Sequence, residues 1–97
     1  MMRKKIEGYP NYEVDTEGNV YSNAKNPERK LKPVNVNGFY AFGGWTNRKQ
    51  RMVYIHRVVC QAFSPSFHTK CTVRHINGNK ADNRLENLKV IQPKTFL

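Results

Sequence analysis

The side chains best placed to do chemistry lie in one stretch, Val73-Arg74-His75-Ile76-Asn77-Gly78-Asn79-Lys80-Ala81-Asp82-Asn83-Arg84-Leu85-Glu86-Asn87-Leu88. A histidine ends a strand-like segment, Gly78-Asn79 provides a turn, and asparagines recur at 77, 79, 83 and 87. An asparagine amide both donates and accepts, so such a series can fix the shape of a loop. The same residues also describe an Asn-rich loop that only closes a small sheet, and taken alone they leave both readings open. Arg57, Arg74, Lys80, Arg84 and Lys89 cluster around this stretch and suit a phosphate backbone. Arg48, Lys49 and Arg51 sit on an expected hairpin tip and edge, placed either for phosphate and groove contacts or as a solvated turn. Trp45, Tyr40 and Phe42 could stack on bases, although sheet packing is the commoner fate of strand aromatics. Zinc-type donors are present in Cys60, His56, Cys71, His68 and His75. They lack any Cys-x-x-Cys pair, so zinc is not expected, and Cys60 is expected inside a helix core.

The charge of the chain says what such a site would meet. Seventeen Lys and Arg stand against seven Asp and Glu, a formal net charge of +10. Residues 29–97 hold thirteen of the basic side chains and only two acids, Asp82 and Glu86. A field this one-sided repels itself and implies an anionic partner, with nucleic acid first. A length of 97 residues allows one small domain with a thin core. No apolar run is long enough to span a membrane, and the charged residues 1–5 are not followed by a signal segment, so a cytoplasmic protein is expected. Two cysteines eleven apart do not make a disulfide scaffold.

The elements that must position these residues can be read in outline. Residues 8–11 are turn chemistry, 12–14 a short strand, 15–19 a tight reversal and 20–22 its return. Residues 23–28 read as a loop. Residues 31–36 alternate, Asn37-Gly38 is the strongest short hairpin signal, and residues 39–45 return. Residues 46–50 read as a polar turn and 51–55 as another strand. At His56 the period changes: Ile55, Val58, Val59, Ala62 and Phe63 share one face of a helix that Ser64-Pro65 ends. Residues 71–75 read as a strand, 82–87 as one helical turn and 88–91 as a last strand. The expected fold is α+β, an antiparallel sheet region over residues 1–54 leading into residues 55–97 within one compact domain.

In this order the chain resembles the HNH endonucleases of the phage and intron homing type. Ile6-Glu7-Gly8-Tyr9-Pro10-Asn11-Tyr12-Glu13-Val14 with Gly18-Asn19-Val20-Tyr21-Ser22 is similar to the DNA-binding module that precedes those nucleases. Leu31-Lys32-Pro33 and Asn37-Gly38-Phe39 match its continuation. Ile55-His56-Arg57-Val58-Val59 with Ala62-Phe63 resembles the helix opening the nuclease part, and His75-Ile76-Asn77-Gly78-Asn79-Lys80 with Asn83 and Glu86-Asn87-Leu88 resembles the HNH loop. The resemblance implies a ββα-metal fold, here truncated, in which His75 is the general base acting on a DNA phosphodiester and Asn83 and Asn87 hold the loop. It implies Mg²⁺ or Mn²⁺ as cofactor and double-stranded DNA as partner, approached by a monomer. His56 also matches a family position and is expected to be structural.

Two positions depart from the family pattern. Where an Asp ligand would precede the histidine, this chain has Arg74, and a guanidinium cannot ligate a metal. A second ligand is expected from a helix after the last strand, where this sequence runs Gln92-Pro93-Lys94-Thr95-Phe96-Leu97 and offers Phe96. That helix is expected to be absent, and both metal ligands with it. Two functions therefore follow from the resemblance: an endonuclease that nicks duplex DNA with His75, or a catalytically inactive HNH-fold protein. The latter would act by binding DNA or by binding and inhibiting another protein.

Overall fold

The computed structural model describes residues 2–23 and 27–93. Four strands, β1 (Arg3–Ile6), β2 (Tyr9–Asp15), β3 (Val20–Ser22) and β4 (Arg29–Lys30), form one antiparallel sheet in that order. The β2–β3 hairpin is the expected one, with Tyr12 opposite Ser22 and Val14 opposite Val20. Its turn is closed by Asp15, whose fully buried carboxylate accepts from Glu17 N, Asn19 N, Asn19 Nδ2 and Tyr21 Oη at 2.8–3.1 Å. Burial pushes this carboxyl up, but those hydrogen bonds outweigh it and hold the pKa below the ordinary value.

Strand β1 is not legible in the sequence, and β2 begins earlier than the turn read at residues 8–11 allows. The first strand hides its nature because it is an edge: Arg3, Lys4 and Lys5 are exposed cations. Charges of this kind keep an edge from recruiting another chain. What holds it is pairing with β2 across the two-residue Glu7-Gly8 turn, Arg3 opposite Asp15 and Lys5 opposite Glu13. Arg3 also reaches Glu13 and Glu28 and lies 3.8 Å from the Tyr21 ring centroid. Part of the loop expected at 23–28, residues 24–26, lies outside the described residues.

A second antiparallel sheet contains β5 (Val34–Val36), β6 (Phe39–Thr46) and β7 (Lys49–Tyr54). The strand expected over 31–36 is shorter, Val34–Val36, and a separate two-residue strand that sequence reading did not anticipate precedes it. Arg29–Lys30 pairs with β3, Val34–Val36 pairs with β6, and Pro33, which has no N–H to donate, separates them. Asn37-Gly38 forms the expected two-residue turn at φ 53° and 90°. The turn expected over 46–50 is tighter than read: Asn47 and Arg48 alone make it, both at positive φ, so Lys49 and Gln50 belong to β7.

Helix α1 (Ile55–Phe63) follows β7 directly, and β8 (Thr72–His75) pairs with β9 (Leu88–Ile91) in a third, two-stranded sheet. The helical turn read at 82–87 is a shorter 3₁₀ turn, Leu85–Asn87. Ile55, Val58 and Val59 of α1 share one core with Ile6, Tyr12, Val14, Val20 and Phe42 of the first two sheets. Phe42 is its largest fully buried side chain, 5.4 Å from the Tyr12 ring. The fold is thus the expected α+β class of small antiparallel sheets with one helix. No helix among the described residues is long and apolar enough to cross a membrane.

Candidate active site

Alternation along β8 turns Val73 and His75 inward and leaves Thr72 and Arg74 outward, and His75 is the last residue of the strand. Its Nε2 lies 2.7 Å from Asn83 Oδ1, and both residues are buried. An amide oxygen only accepts, so Nε2 carries the proton and Nδ1 keeps the lone pair. No described residue hydrogen-bonds that Nδ1. In the neutral ring this bond selects one tautomer, with Nδ1 as the basic nitrogen.

The loop that supplies Asn83 is self-braced. Asn87 Nδ2 donates to Asn77 Oδ1 at 3.0 Å and to the Asp82 carbonyl at 2.9 Å, while Asn87 Oδ1 accepts from Asn77 N at 3.1 Å. Asn77 Nδ2 donates to Asp82, and Asn79 Oδ1 accepts from Ala81 N. The Asp82 carboxylate takes two hydrogen bonds from the Arg84 guanidinium, which holds its pKa well below the carboxylate range. From outside, the β2–β3 turn abuts the loop: Leu85 N donates to Thr16 O at 2.8 Å, and a Cβ on Gly18 would lie 2.7 Å from Asn83 O.

An aromatic layer lies against the histidine. His56, Phe39 and Tyr54 stack with one another, and the His56 and Phe39 rings lie 5.3 and 6.2 Å from that of His75. His56 is 7% exposed and its Nδ1 is buried with no partner among the described residues. Burial, then the neighbouring His75 and Arg57, push its pKa down to about 4. An unfolded histidine titrates near about 6.5, so its stabilising share is complete above that pH. It is lost as the pH falls toward 4. Urea melts should show a loss on the order of 3 kcal/mol across that window, a loss largely absent from His56→Gln. A wild-type stability that is flat over this interval would contradict the burial of a neutral His56.

Arg74, His75, Gly78 and Lys80 line one cleft of about 300 Å³ together with Phe39 and Ile91. The Lys80 ammonium sits 4.4 Å over the Phe39 ring, and Arg74 stands directly opposite Lys89 across the β8–β9 ladder. So two of the expected phosphate contacts, Arg74 and Lys80, line the histidine's cleft, and a third, Lys89, lies across the ladder from Arg74. Two others are engaged within the protein. Arg57 donates to the carbonyls of Cys71 and Thr69, tying the loop after α1, and Arg84 is held by Asp82 and Glu86. Arg48, Lys49 and Arg51 are exposed at the far end of the β6–β7 ribbon, beside an exposed Trp45. Tyr40 and Phe42, the other stacking candidates, pack in or against the core.

Among the described residues the donor set does not fit a divalent metal. Arg74 occupies the position before His75, and Phe96 lies outside the described residues. Among the described residues no group of three or more His, Cys, Asp or Glu could hold an ion. The zinc-type donors are dispersed. Cys60 lies in the helix core, its thiol pushed up to about 11 by burial, while His68 and Cys71 both contact Gln92.

Sequence reading misses Phe39 as a wall of the site and Thr16 and Gly18 as its outer support. Nothing local marks them, since each acts through a contact with a residue far along the chain.

A family model described as HNH endonuclease matches residues 53–94. The DNA endonuclease I-HmuI of Bacillus phage SP01 is 29% identical over 92 residues, covering 94% of this chain and 52% of that protein. The uncharacterized HNH endonuclease L245 of Acanthamoeba polyphaga mimivirus is 30% identical over 90 residues, covering 92% of this chain and 27% of that one. The chain thus spans about a quarter to about half the length of these relatives. A solved structure described as DNA binding and cleavage by the HNH homing endonuclease I-HmuI superimposes with a TM-score of 0.83 at 30% identity, covering 94% of this chain and 52% of that one. With the histidine and the asparagine-braced loop in place, the chain is similar to the HNH endonucleases over residues 53–94 and to the HNH homing endonuclease I-HmuI over most of its own length.

Proposed function

We propose that this chain binds double-stranded DNA and hydrolyses a phosphodiester of one strand, with His75 as the general base. The observation that carries this reading is the His75 imidazole, held through Nε2 by Asn83, with no described residue hydrogen-bonded to its Nδ1, lining a cleft edged by Arg74 and Lys80. A base must be neutral, oriented and within reach of the water it deprotonates. Asn83 and Asn87 hold that geometry and the loop around it. Residues 1–54 form the part that grips the duplex and residues 55–97 the part that carries the chemistry. The relatives' names, and the phage origin of one of them, support a phage-type role.

Conversion of supercoiled plasmid to the open-circular form tests the reading directly. Nicking by the wild-type chain supports it. Salt-sensitive DNA binding without any nicking would leave a binding protein instead, and no DNA binding at low salt would remove both.

The exposed cations make a separate prediction. Each phosphate neutralised contributes about −0.9 to the slope of log K against log salt. Arg48→Ala and Lys49→Ala should each reduce the steepness of that slope by about 1. Arg57→Ala should instead lower the melting temperature and leave the slope nearly unchanged, because its guanidinium binds backbone carbonyls. Fluorescence anisotropy on a short duplex at several salt concentrations measures the first pair, and a thermal melt the second.

A further inference from the structure

The nuclease reading expects a cation at the scissile phosphate, and the described residues do not make a divalent-metal site, since Arg74 stands beside His75 where a ligand is expected. We infer that Arg74, assisted by Lys80, supplies that positive charge from the protein itself, so that the strand cleavage proposed above proceeds without a divalent metal. The inference rests on that nuclease reading.

Three observations point to it. First, Arg74 and Lys80 line the same cleft as His75, Arg74 from the strand position next to the base and Lys80 from the loop after it. Second, the cations are unsatisfied within the protein. Arg74 faces Lys89 directly across the ladder, a like-charge pair that is destabilising by itself, and no acid is paired with either among the described residues. The contrast with Arg84 and Arg3, each held by two carboxylates, is sharp. Third, Lys80 is placed rather than free-floating, because its ammonium rests over the Phe39 ring that also walls His75. Like-charged side chains held together without counter-charges are what a phosphate site looks like before its ligand arrives.

The chemistry balances with water as the only co-reactant. His75 Nδ1 takes a proton from a water molecule as its oxygen forms a bond to phosphorus. The bond from phosphorus to the leaving sugar oxygen breaks with its electron pair onto that oxygen, which then takes a proton from solvent. The imidazolium returns its proton to solvent. Arg74 donates N–H groups to the non-bridging oxygens where negative charge grows, and Lys80 adds a second positive charge beside them.

The test is plasmid nicking by the full chain in EDTA and in Mg²⁺ or Mn²⁺, with His75→Ala run alongside to identify contaminating nucleases. Rates that are equal in EDTA and in metal, and that fall about 10²–10³-fold in Arg74→Gln with smaller loss in Arg74→Lys, support the inference. Arg74→Gln removes one member of the Arg74–Lys89 pair, so its melting temperature should not fall, and a folding defect is thereby separated from a chemical one. Nicking that appears only with metal and vanishes in EDTA overturns the inference and leaves the nuclease reading intact. Undiminished EDTA-resistant nicking by Arg74→Gln overturns the role of Arg74 alone. No nicking under any condition, with DNA binding retained, overturns the inference and the nuclease reading together.

Discussion

Replacing His75 with alanine is expected to lower the nicking rate by about 10²–10⁴-fold, the usual contribution of a positioned general base, while DNA affinity changes little. The reason lies in the geometry of a single ring. Its Nε2 bond to Asn83 Oδ1 fixes both the tautomer and the direction of Nδ1. Removing the ring removes the proton acceptor. Removing Asn83 leaves the acceptor but frees its orientation, so Asn83→Ala should lose less than His75→Ala. His75 is buried, so the alanine variant also opens a cavity beside His56 and Phe39. His75→Gln fills most of that space and should be as inactive as His75→Ala while melting closer to wild type. A His75→Gln protein that nicked at the wild-type rate would remove histidine from the mechanism.

The second large effect is expected at a residue far from the chemistry. Gly18→Ala should destabilise the fold by about 3 kcal/mol, the sum of left-handed backbone strain and a steric collision. At roughly 4–8 °C per kcal/mol for a domain of this size, the melting temperature should fall by more than about 10 °C. The collision is specific: the new Cβ would sit 2.7 Å from the Asn83 carbonyl oxygen and 2.9 Å from its carbon, backbone atoms that cannot swing aside. Gly8 supplies the matched control. It has the same φ of +84°, and a Cβ added there would meet no atom within 4 Å, so Gly8→Ala should lose only the backbone part, about 1 kcal/mol. The difference between the two variants measures how tightly the β2–β3 turn abuts the HNH loop. Because Asn83 is the partner of His75, Gly18→Ala should also reduce nicking at temperatures where the protein is still folded. Equal destabilisation by both substitutions would show that this contact carries nothing.

That contact also marks where reading the sequence stops. The β2–β3 reversal, the Asn37-Gly38 hairpin, helix α1 and the strand ending at His75 are all written in local patterns of two, three or four residues. Strand β1 is not, because three cations on an edge look like a polar tail until Asp15 and Glu13 are seen across from them. Strand β4 is not either, because Arg29–Lys30 are two exposed cations whose partner is β3, while the run beyond Pro33 pairs with β6 in another sheet. The tight Asn47-Arg48 turn places a bulky arginine at φ 61°, which pairing of the flanking strands imposes against local preference.

The candidate site divides in the same way. Sequence alone determined its chemical inventory: a histidine, four asparagines around a Gly-Asn turn, an excess of cations, and an arginine where a ligand would be expected. These are properties of residue type and spacing, and no fold can alter them. Only the tertiary structure decided which cations face the histidine. Arg57 and Arg84, equal to Arg74 and Lys80 in charge, are taken up by carbonyls and carboxylates, whereas Arg74 and Lys80 are left at the cleft. Charge is set by composition, but its availability depends on which neighbours the chain brings within hydrogen-bond distance. That is settled by long-range contacts such as those of Gly18, Thr16 and Phe39.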